Sequence, residues 1–91
     1  MMVYISGPMT GVPEHNYPLF AAEAARLRRL GRVVVSPHEL NPDGRNWYLC
    51  MAVDLWHLWR CDTIYLLPGW ERSRGARIEL AVAILLRLAI I

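Results

Sequence analysis

The stretch from Pro68 to Ala83 contains the residues best placed to do chemistry. Ser73 is a good helix N-cap, and a helix beginning after it would direct free backbone N–H groups and its positive dipole end toward the preceding loop. Such a terminus favours an anion, for example a phosphate group. Arg72 and Arg74 flank the cap and could add charge-assisted hydrogen bonds, while Gly75 lets a ligand approach the backbone closely.

Glu79 is the only acidic residue of the predicted helix, which runs from Ala76 to Leu88. It lies four residues after Gly75, so its carboxylate shares a helix face with the one position that lacks a side chain. About 9 Å of helix separates it from Ser73, at about 1.5 Å per residue, which suits a nucleotide with its phosphate at one end. A solvent-exposed Glu79 paired with a nearby arginine is the alternative interpretation.

A second carboxylate, Asp54, lies in a predicted helix from Trp47 to Arg60 that is apolar nearly all round. Such a helix is expected to be buried on more than one side, by the sheet and by a partner subunit. A carboxyl group in these surroundings is either paired or has a raised pKa, as a general acid near neutral pH requires. A structural Asp54 bonded to His57 or Arg60 is the alternative.

Strands and helices that could position these groups alternate along the chain, which predicts one α/β domain over residues 1–91. We expect a three-layer α/β/α architecture with a small parallel sheet, Rossmann-like or flavodoxin-like, and ligands at the carboxyl ends of its strands. The predicted strands are Val3–Ile5, Arg32–Val35, Asp62–Leu67 and a short Leu88–Ile91; the first helix spans Tyr17–Leu30 and ends at Gly31.

Three details of this prediction concern burial and loops. The strand Val3–Ile5 is expected to be central, and the valine run before Ser36 is expected to be buried on both faces. The loop Gly7–Gly11 is expected at the ligand-binding edge of the sheet, with a plain tight turn as the alternative. The polar segment Ser36–Asn46 is interpreted as a mobile or substrate-facing loop.

Composition excludes several functional classes. All ten basic residues are arginine, so neither a Schiff-base lysine nor a Walker-type lysine is available. No basic stripe with interleaved aromatics is present, which argues against binding of a nucleic-acid polymer. Cys50, Cys61 and the three histidines lack metal-ligand spacing, so we predict neither a metal nor a cofactor.

Hydropathy predicts location and assembly. No leader-like segment and no apolar run of membrane length occurs, so a cytoplasmic protein without membrane contact is expected. Hydrophobic residues make up 55% of the 91, with four tryptophans. Some apolar surface should stay uncovered in a monomer, which predicts a homodimer or a higher homo-oligomer.

Taken together, the motifs resemble the small phage and bacterial proteins of the DUF4406 type, relatives of nucleoside 2-deoxyribosyltransferases and of 2'-deoxynucleoside 5'-monophosphate N-glycosidases. The resemblance covers almost the whole chain. It rests on Tyr4 to Gly11, on Asp54-Leu55 followed by Cys61-Asp62, and on Pro68-Gly69-Trp70 with Ser73, Gly75 and Glu79.

By this resemblance, Glu79 matches the nucleophile that forms a covalent glycosyl-enzyme, Asp54 the carboxyl that protonates or orients the leaving base, and Tyr4 a tyrosine near the nucleophile. This is the two-carboxylate chemistry of retaining glycosidases applied to an N-glycosidic bond. Glu79 near a helix N-terminus is expected to be ionised, and Asp54 in apolar surroundings protonated. The implied substrate contacts are Ser6, Gly7, Pro8, Gly69, Trp70, Ser73, Arg74 and Gly75.

Position 73 bears on the substrate. In the families that the sequence resembles, transferases of free nucleosides carry Asp there, and monophosphate hydrolases carry Ser. Ser73 between Arg72 and Arg74 therefore favours a nucleotide, because an aspartate would repel the phosphate. The resemblance implies hydrolysis of a 2'-deoxynucleoside 5'-monophosphate; the alternatives are a deoxyribosyltransferase, a non-catalytic nucleotide-binding module and a scaffold that assembles through its tryptophan-rich helix.

Overall fold

The computed structural model describes residues 2–40 and 46–91. Its central feature is a parallel sheet of four strands in the order β2-β1-β3-β4. The strands are β1 (Met2–Ser6), β2 (Val33–Val35), β3 (Thr63–Leu66) and β4 (Ala89–Ile90), and the helices are α1 (Tyr17–Arg29), α2 (Pro37–Leu40), α3 (Trp47–Trp59) and α4 (Arg74–Leu85).

Helices cover both faces of the sheet, so the predicted three-layer α/β/α architecture is confirmed. On one face, Val3 and Ile5 of β1 pack in a cluster with Phe20 and Leu27 of α1. On the other, Tyr4 packs with residues of α3, β3 and α4. Side chains alternate across a strand, so the two apolar clusters lie on opposite faces of β1. This central strand, predicted as such, has a neighbour on each side.

The second strand differs from its prediction. It lies at the edge of the sheet, where β1 is its only partner in the described part of the chain. Val33 is consequently 57% exposed, and only Val34 of the strand is fully buried. A valine run is typical of a strand buried on both faces, but an edge position leaves part of such a run in contact with solvent.

The predicted loop after β2 is partly helical. Ser36 is buried, and a single helical turn, α2, follows it. Residues 41–45, which belonged to the same predicted substrate-facing segment, lie outside the described residues. At the end of α1, Gly31 adopts a left-handed φ of 84° and stops the helix as expected.

The helix α3 is buried on one side in this single chain. Its buried residues are Met51, Asp54 and Leu58, all on one side, while Trp56 and Trp59 on the opposite side are 63% and 67% exposed. Burial of this opposite side by a partner subunit, as the sequence predicts, stays a prediction. None of the helices in the described part of the chain combines the length and apolar character needed to cross a membrane.

Candidate active site

A cavity of about 980 Å³ opens where the carboxyl ends of β1 and β3 meet. The connection after β1 leads to β2 on one side of it, and the next connection crosses back to β3 on its other side. This crevice is therefore the topological switch point at which parallel sheets bind ligands. Gly7 and Pro8 from the loop after β1 line it, as do Pro68 and Gly69 from the loop after β3. The rest of the wall comes from the segments before α1 and α4, from Pro37 of α2, and from the first two turns of α1, α3 and α4.

Glu79 lies at the cavity wall with only 4% of its surface exposed. The Tyr4 hydroxyl donates to its Oε2 at 2.6 Å, and the Ser6 hydroxyl donates to its Oε1 at 2.7 Å. Both donors come from β1, two positions apart, because alternate residues of a strand face the same side of the sheet. The solvent-exposed, arginine-paired Glu79 considered as an alternative is therefore not what the structure shows.

Asp54 reaches the same cavity from α3 and is 6% exposed. A hydrogen bond and the charge of Asp54 both act on Glu79, and both raise the pKa of Glu79. Two carboxyl groups can share a hydrogen bond only when one of them carries a proton. The two carboxyls therefore form a buried pair that holds a proton between them, the arrangement found where two acids must divide the roles of acid and base.

The electrostatics of Glu79 differ from the sequence expectation. Burial raises the pKa of Glu79 to about 8, with the charge of Asp54 acting in the same direction, while the hydrogen bonds from Tyr4 and Ser6 lower it. The helix N-terminus was expected to keep Glu79 ionised. Its influence is confined to about the first turn of the helix, and Glu79 lies beyond that turn, so desolvation dominates.

At the N-terminus of α4, Ser73 caps the helix as predicted, and its Oγ accepts a hydrogen bond from the backbone N–H of Ala76 at 3.1 Å. No acidic residue lies in the first turn of this helix. Arg74 lines the cavity and its guanidinium stacks 3.9 Å from the ring centroid of Trp47. Arg72 lines the cavity as well, so this end of the wall carries positive charge.

The predicted site residues fall into three groups. Trp70 does not line the cavity; its backbone closes the turn between β3 and α4 by hydrogen bonds with Leu67 and Ser73. Tyr4 and Ser6 are fully buried behind Glu79 and meet the site only through its carboxylate. The predicted residues that line the cavity are Asp54, Glu79, Gly7, Pro8, Gly69, Ser73, Arg74 and Gly75.

Aromatic and sulfur-containing residues of the wall were missed by the sequence reasoning. Trp47 and Met51 precede Asp54 by seven and three positions, and this helical spacing alone would have placed them on its face. Tyr17 and Phe20 of α1 also line the cavity, and each ring lies near that of His38, at 5.8 Å and 6.3 Å between centroids. Spacing in the sequence does not connect Tyr17 and Phe20 with Asp54 or Glu79, because α1 belongs to the layer of helices on the opposite face of the sheet.

Comparison with solved structures identifies the same architecture in two enzymes. The 2-deoxyribosyltransferase of Bacillus psychrosaccharolyticus superposes with a TM-score of 0.76 at 18% identity, covering 99% of this chain and 69% of that one. The 2-desoxiribosyltransferase of Leishmania mexicana gives 0.76 at 19% identity, covering 99% and 61%. This chain thus spans roughly two thirds of each enzyme's length, and at these identities the likeness shows the fold. No curated protein matches the sequence.

The predicted resemblance is confirmed at the level of fold by these two enzymes, and at the level of family by a direct match. The family model described as a domain of unknown function, DUF4406, matches residues 1–91, which is the full length of the sequence. The protein therefore belongs to the DUF4406 family and has the fold of the 2-deoxyribosyltransferases.

Proposed function

We propose that this protein hydrolyses the N-glycosidic bond of a 2'-deoxynucleoside 5'-monophosphate through a covalent intermediate on Glu79. The observation that carries the proposal is the placement of Glu79 at the wall of the cavity, held by Tyr4 and Ser6 and paired with Asp54. A buried carboxylate with fixed orientation beside a second carboxyl is what a retaining glycosidase requires.

In the first step, a Glu79 oxygen bonds to the anomeric carbon as the bond from that carbon to the base breaks. The bonding electrons leave with the base, and the proton held by the pair passes from Asp54 to a base nitrogen. In the second step, water attacks the anomeric carbon, the ester to Glu79 breaks, and a water proton returns to Asp54. One shared proton is sufficient, because Glu79 is ionised whenever the proton resides on Asp54.

The end of the cavity at α4 suits the phosphate of such a substrate. The capped helix terminus offers backbone N–H groups, Arg72 and Arg74 add positive charge, and no acidic residue lies in the first turn. Ser73 and Glu79 are about 9 Å apart along the helix axis, at about 1.5 Å per residue. This separation supports a substrate whose phosphate and anomeric carbon lie at opposite ends of the sugar.

The test is release of free base from a panel of 2'-deoxynucleoside and ribonucleoside 5'-monophosphates, followed by chromatography. We expect release by the wild-type protein and none by Glu79→Gln, with nucleotide affinity within roughly tenfold of wild type. The control is Glu71→Gln, the same change at an exposed residue outside the cavity, which should retain activity. Turnover that survives in Glu79→Gln would refute the nucleophile assignment.

A deoxyribosyltransferase is the second candidate, and the two enzymes that share the fold favour it. A transferase would use the same glycosyl-enzyme and replace water by a second base. Adding a different free base to the assay separates the two activities, because only a transferase converts it into a new nucleotide. If the nucleotides bind saturably but no base is released under any condition, a binding module replaces both enzymatic proposals.

A further inference from the structure

The outward sides of α3 and α4 form an apolar surface on the layer that carries the two carboxylates. We name this surface the outer α3–α4 face. Both helices cover the same side of the sheet and pack against each other, and each turns its acidic residue inward. The face consists of Tyr48, Leu49, Trp56 and Trp59 of α3 with Ile78 and Leu85 of α4, all of them exposed.

Helical spacing places these residues in one stripe on each helix. Leu49, Trp56 and Trp59 recur at intervals of seven and three positions, opposite the buried side of α3. On α4, Ile78 and Leu85 are separated by two turns, and Leu85 is 82% exposed. In both helices the stripe is therefore a second apolar side, in addition to the side that packs on the sheet.

None of the six residues of the face is charged. Between Trp47 and Trp59 the only acidic residue is Asp54, which is buried on the inward side. Arg60, just after α3, and Arg77 of α4 are exposed. Exposed aromatic and aliphatic side chains with arginines nearby and no acidic residue among them are the composition of a protein interface.

The size of the face matches what a dimer needs. Buried aromatic side chains each contribute roughly 150–250 Å², so the three exposed aromatics alone supply on the order of 400 Å². With the three aliphatic residues, the apolar area approaches the roughly 800 Å² per partner of a standard interface and exceeds the patch of a typical monomer. We propose that two copies of this chain pair through the outer α3–α4 face.

A second copy is the occupant that satisfies these observations together. In a two-fold pair the same patch faces itself, so the apolar side chains of one copy meet those of the other. Pairing would also restrain α3 against α4, and hence Asp54 against Glu79. The inference does not depend on the proposed reaction, since an inactive protein would pair through the same face.

The experiment measures the mass of the full-length protein in solution by light scattering and sedimentation, across a range of concentrations. We expect a dimer for wild type and a folded monomer for Trp56→Glu. The matched control is Leu30→Glu, directly after α1; Leu30 is 63% exposed like Trp56 but lies on the other layer, and this variant should remain dimeric. Circular dichroism establishes that each variant is folded.

A readout on the wild-type protein covers the case in which Trp56→Glu does not fold. Dilution below the dissociation constant should return Trp56 and Trp59 to water and shift tryptophan emission to longer wavelength. A wild-type monomer at every concentration overturns the proposal, as does a dimer that survives Trp56→Glu. A monomer that co-sediments with anionic lipid vesicles also overturns it, and assigns the face to a membrane surface.

Discussion

At the scale of single residues, the carboxylate of Glu79 is held by three other side chains. Each of its oxygens accepts one hydrogen bond from β1, and Asp54 adds a third interaction. Burial raises the pKa of Tyr4 well above its ordinary value, so the phenol stays protonated and continues to donate. Tyr4 is thus a positioning residue that also offsets part of the desolvation of Glu79.

We expect Tyr4→Phe to reduce activity and to raise the pKa of Glu79 further, because the change removes a hydrogen bond that lowers it. The limb of the pH–rate profile that reports ionisation of Glu79 should move to higher pH. The control is Tyr65→Phe on β3, whose hydroxyl donates to Glu23 instead. An unchanged pH profile in Tyr4→Phe, with activity reduced, would show that the hydroxyl acts only through packing.

At the scale of secondary-structure elements, α4 joins the two ends of the cavity. Ser73 caps its N-terminus, where Arg72 and Arg74 also lie, and Glu79 follows on the side that faces the sheet. The turn that precedes it ends at Ser73, which is extended, with φ −98° and ψ 120°, as an N-cap residue must be. The helix therefore fixes the distance between the anion end and the nucleophile.

Replacing Ser73 by Asp separates capping from phosphate binding. Asp caps helices about as well as Ser, so thermal stability should change by a few tenths of a kcal/mol at most. Its negative charge should raise KM for a 5'-monophosphate at least about tenfold, equivalent to about 1.4 kcal/mol, while KM for the free nucleoside changes little. Steady-state kinetics on both substrates test this, and an equal change on both would contradict phosphate recognition at α4.

The contact between Arg74 and Trp47 joins the first turns of α4 and α3. A cation–π contact at such a site contributes about 0.5–1 kcal/mol, so Trp47→Leu should raise KM for the monophosphate about two- to fivefold by releasing Arg74. Trp70→Leu, outside the cavity, is the control and should leave KM unchanged. A raised KM in Trp70→Leu together with an unchanged KM in Trp47→Leu would contradict this prediction and would favour Trp70 as the substrate contact that the sequence predicted.

At the scale of the whole molecule, the two layers of helices have different roles. The layer of α3 and α4 supplies both carboxylates and the outer apolar face, while α1 supplies part of the cavity wall from the other side. The cost of burying Glu79 is a property of the whole fold, since a sheet and two helices exclude water from it. Global stability should therefore depend on pH.

A carboxyl with a raised folded-state pKa stabilises the fold in its protonated form. Between the ordinary value near 4.5 and the folded value of about 8, the folded state of Glu79 binds more protons than the unfolded state. This contribution is complete below pH 4.5 and is lost as the pH rises through 8, by up to about 1.4 kcal/mol per pH unit. Denaturant unfolding at fixed protein concentration should show stability falling over this range.

The comparison with Glu79→Gln isolates this effect, because a neutral glutamine removes the proton uptake and should flatten the profile. Other groups act in the opposite direction: burial lowers the pKa of His38, so its contribution to stability rises with pH. Glu71→Gln should retain the wild-type slope. A slope that persists in Glu79→Gln would assign the pH dependence to another group.

The sequence by itself determined the order of the elements, the central position of β1, the cap at Ser73 and eight of the residues that line the cavity. These follow from turn residues, hydrophobic periods and spacing within single segments, together with a resemblance that covers nearly the whole chain.

Only the tertiary structure decided the burial of Glu79, its raised pKa and its donors. Tyr4 and Ser6 lie 75 and 73 positions before it, and no local pattern encodes that contact. The edge position of β2 and the exposure of Trp56 and Trp59 on α3 likewise depend on how the strands and helices are arranged around one another. Desolvation has the largest effect on the pKa of Glu79. It arises from all the residues of β1, α3 and α4 that exclude water from the carboxylate, and these are brought together only when the chain folds.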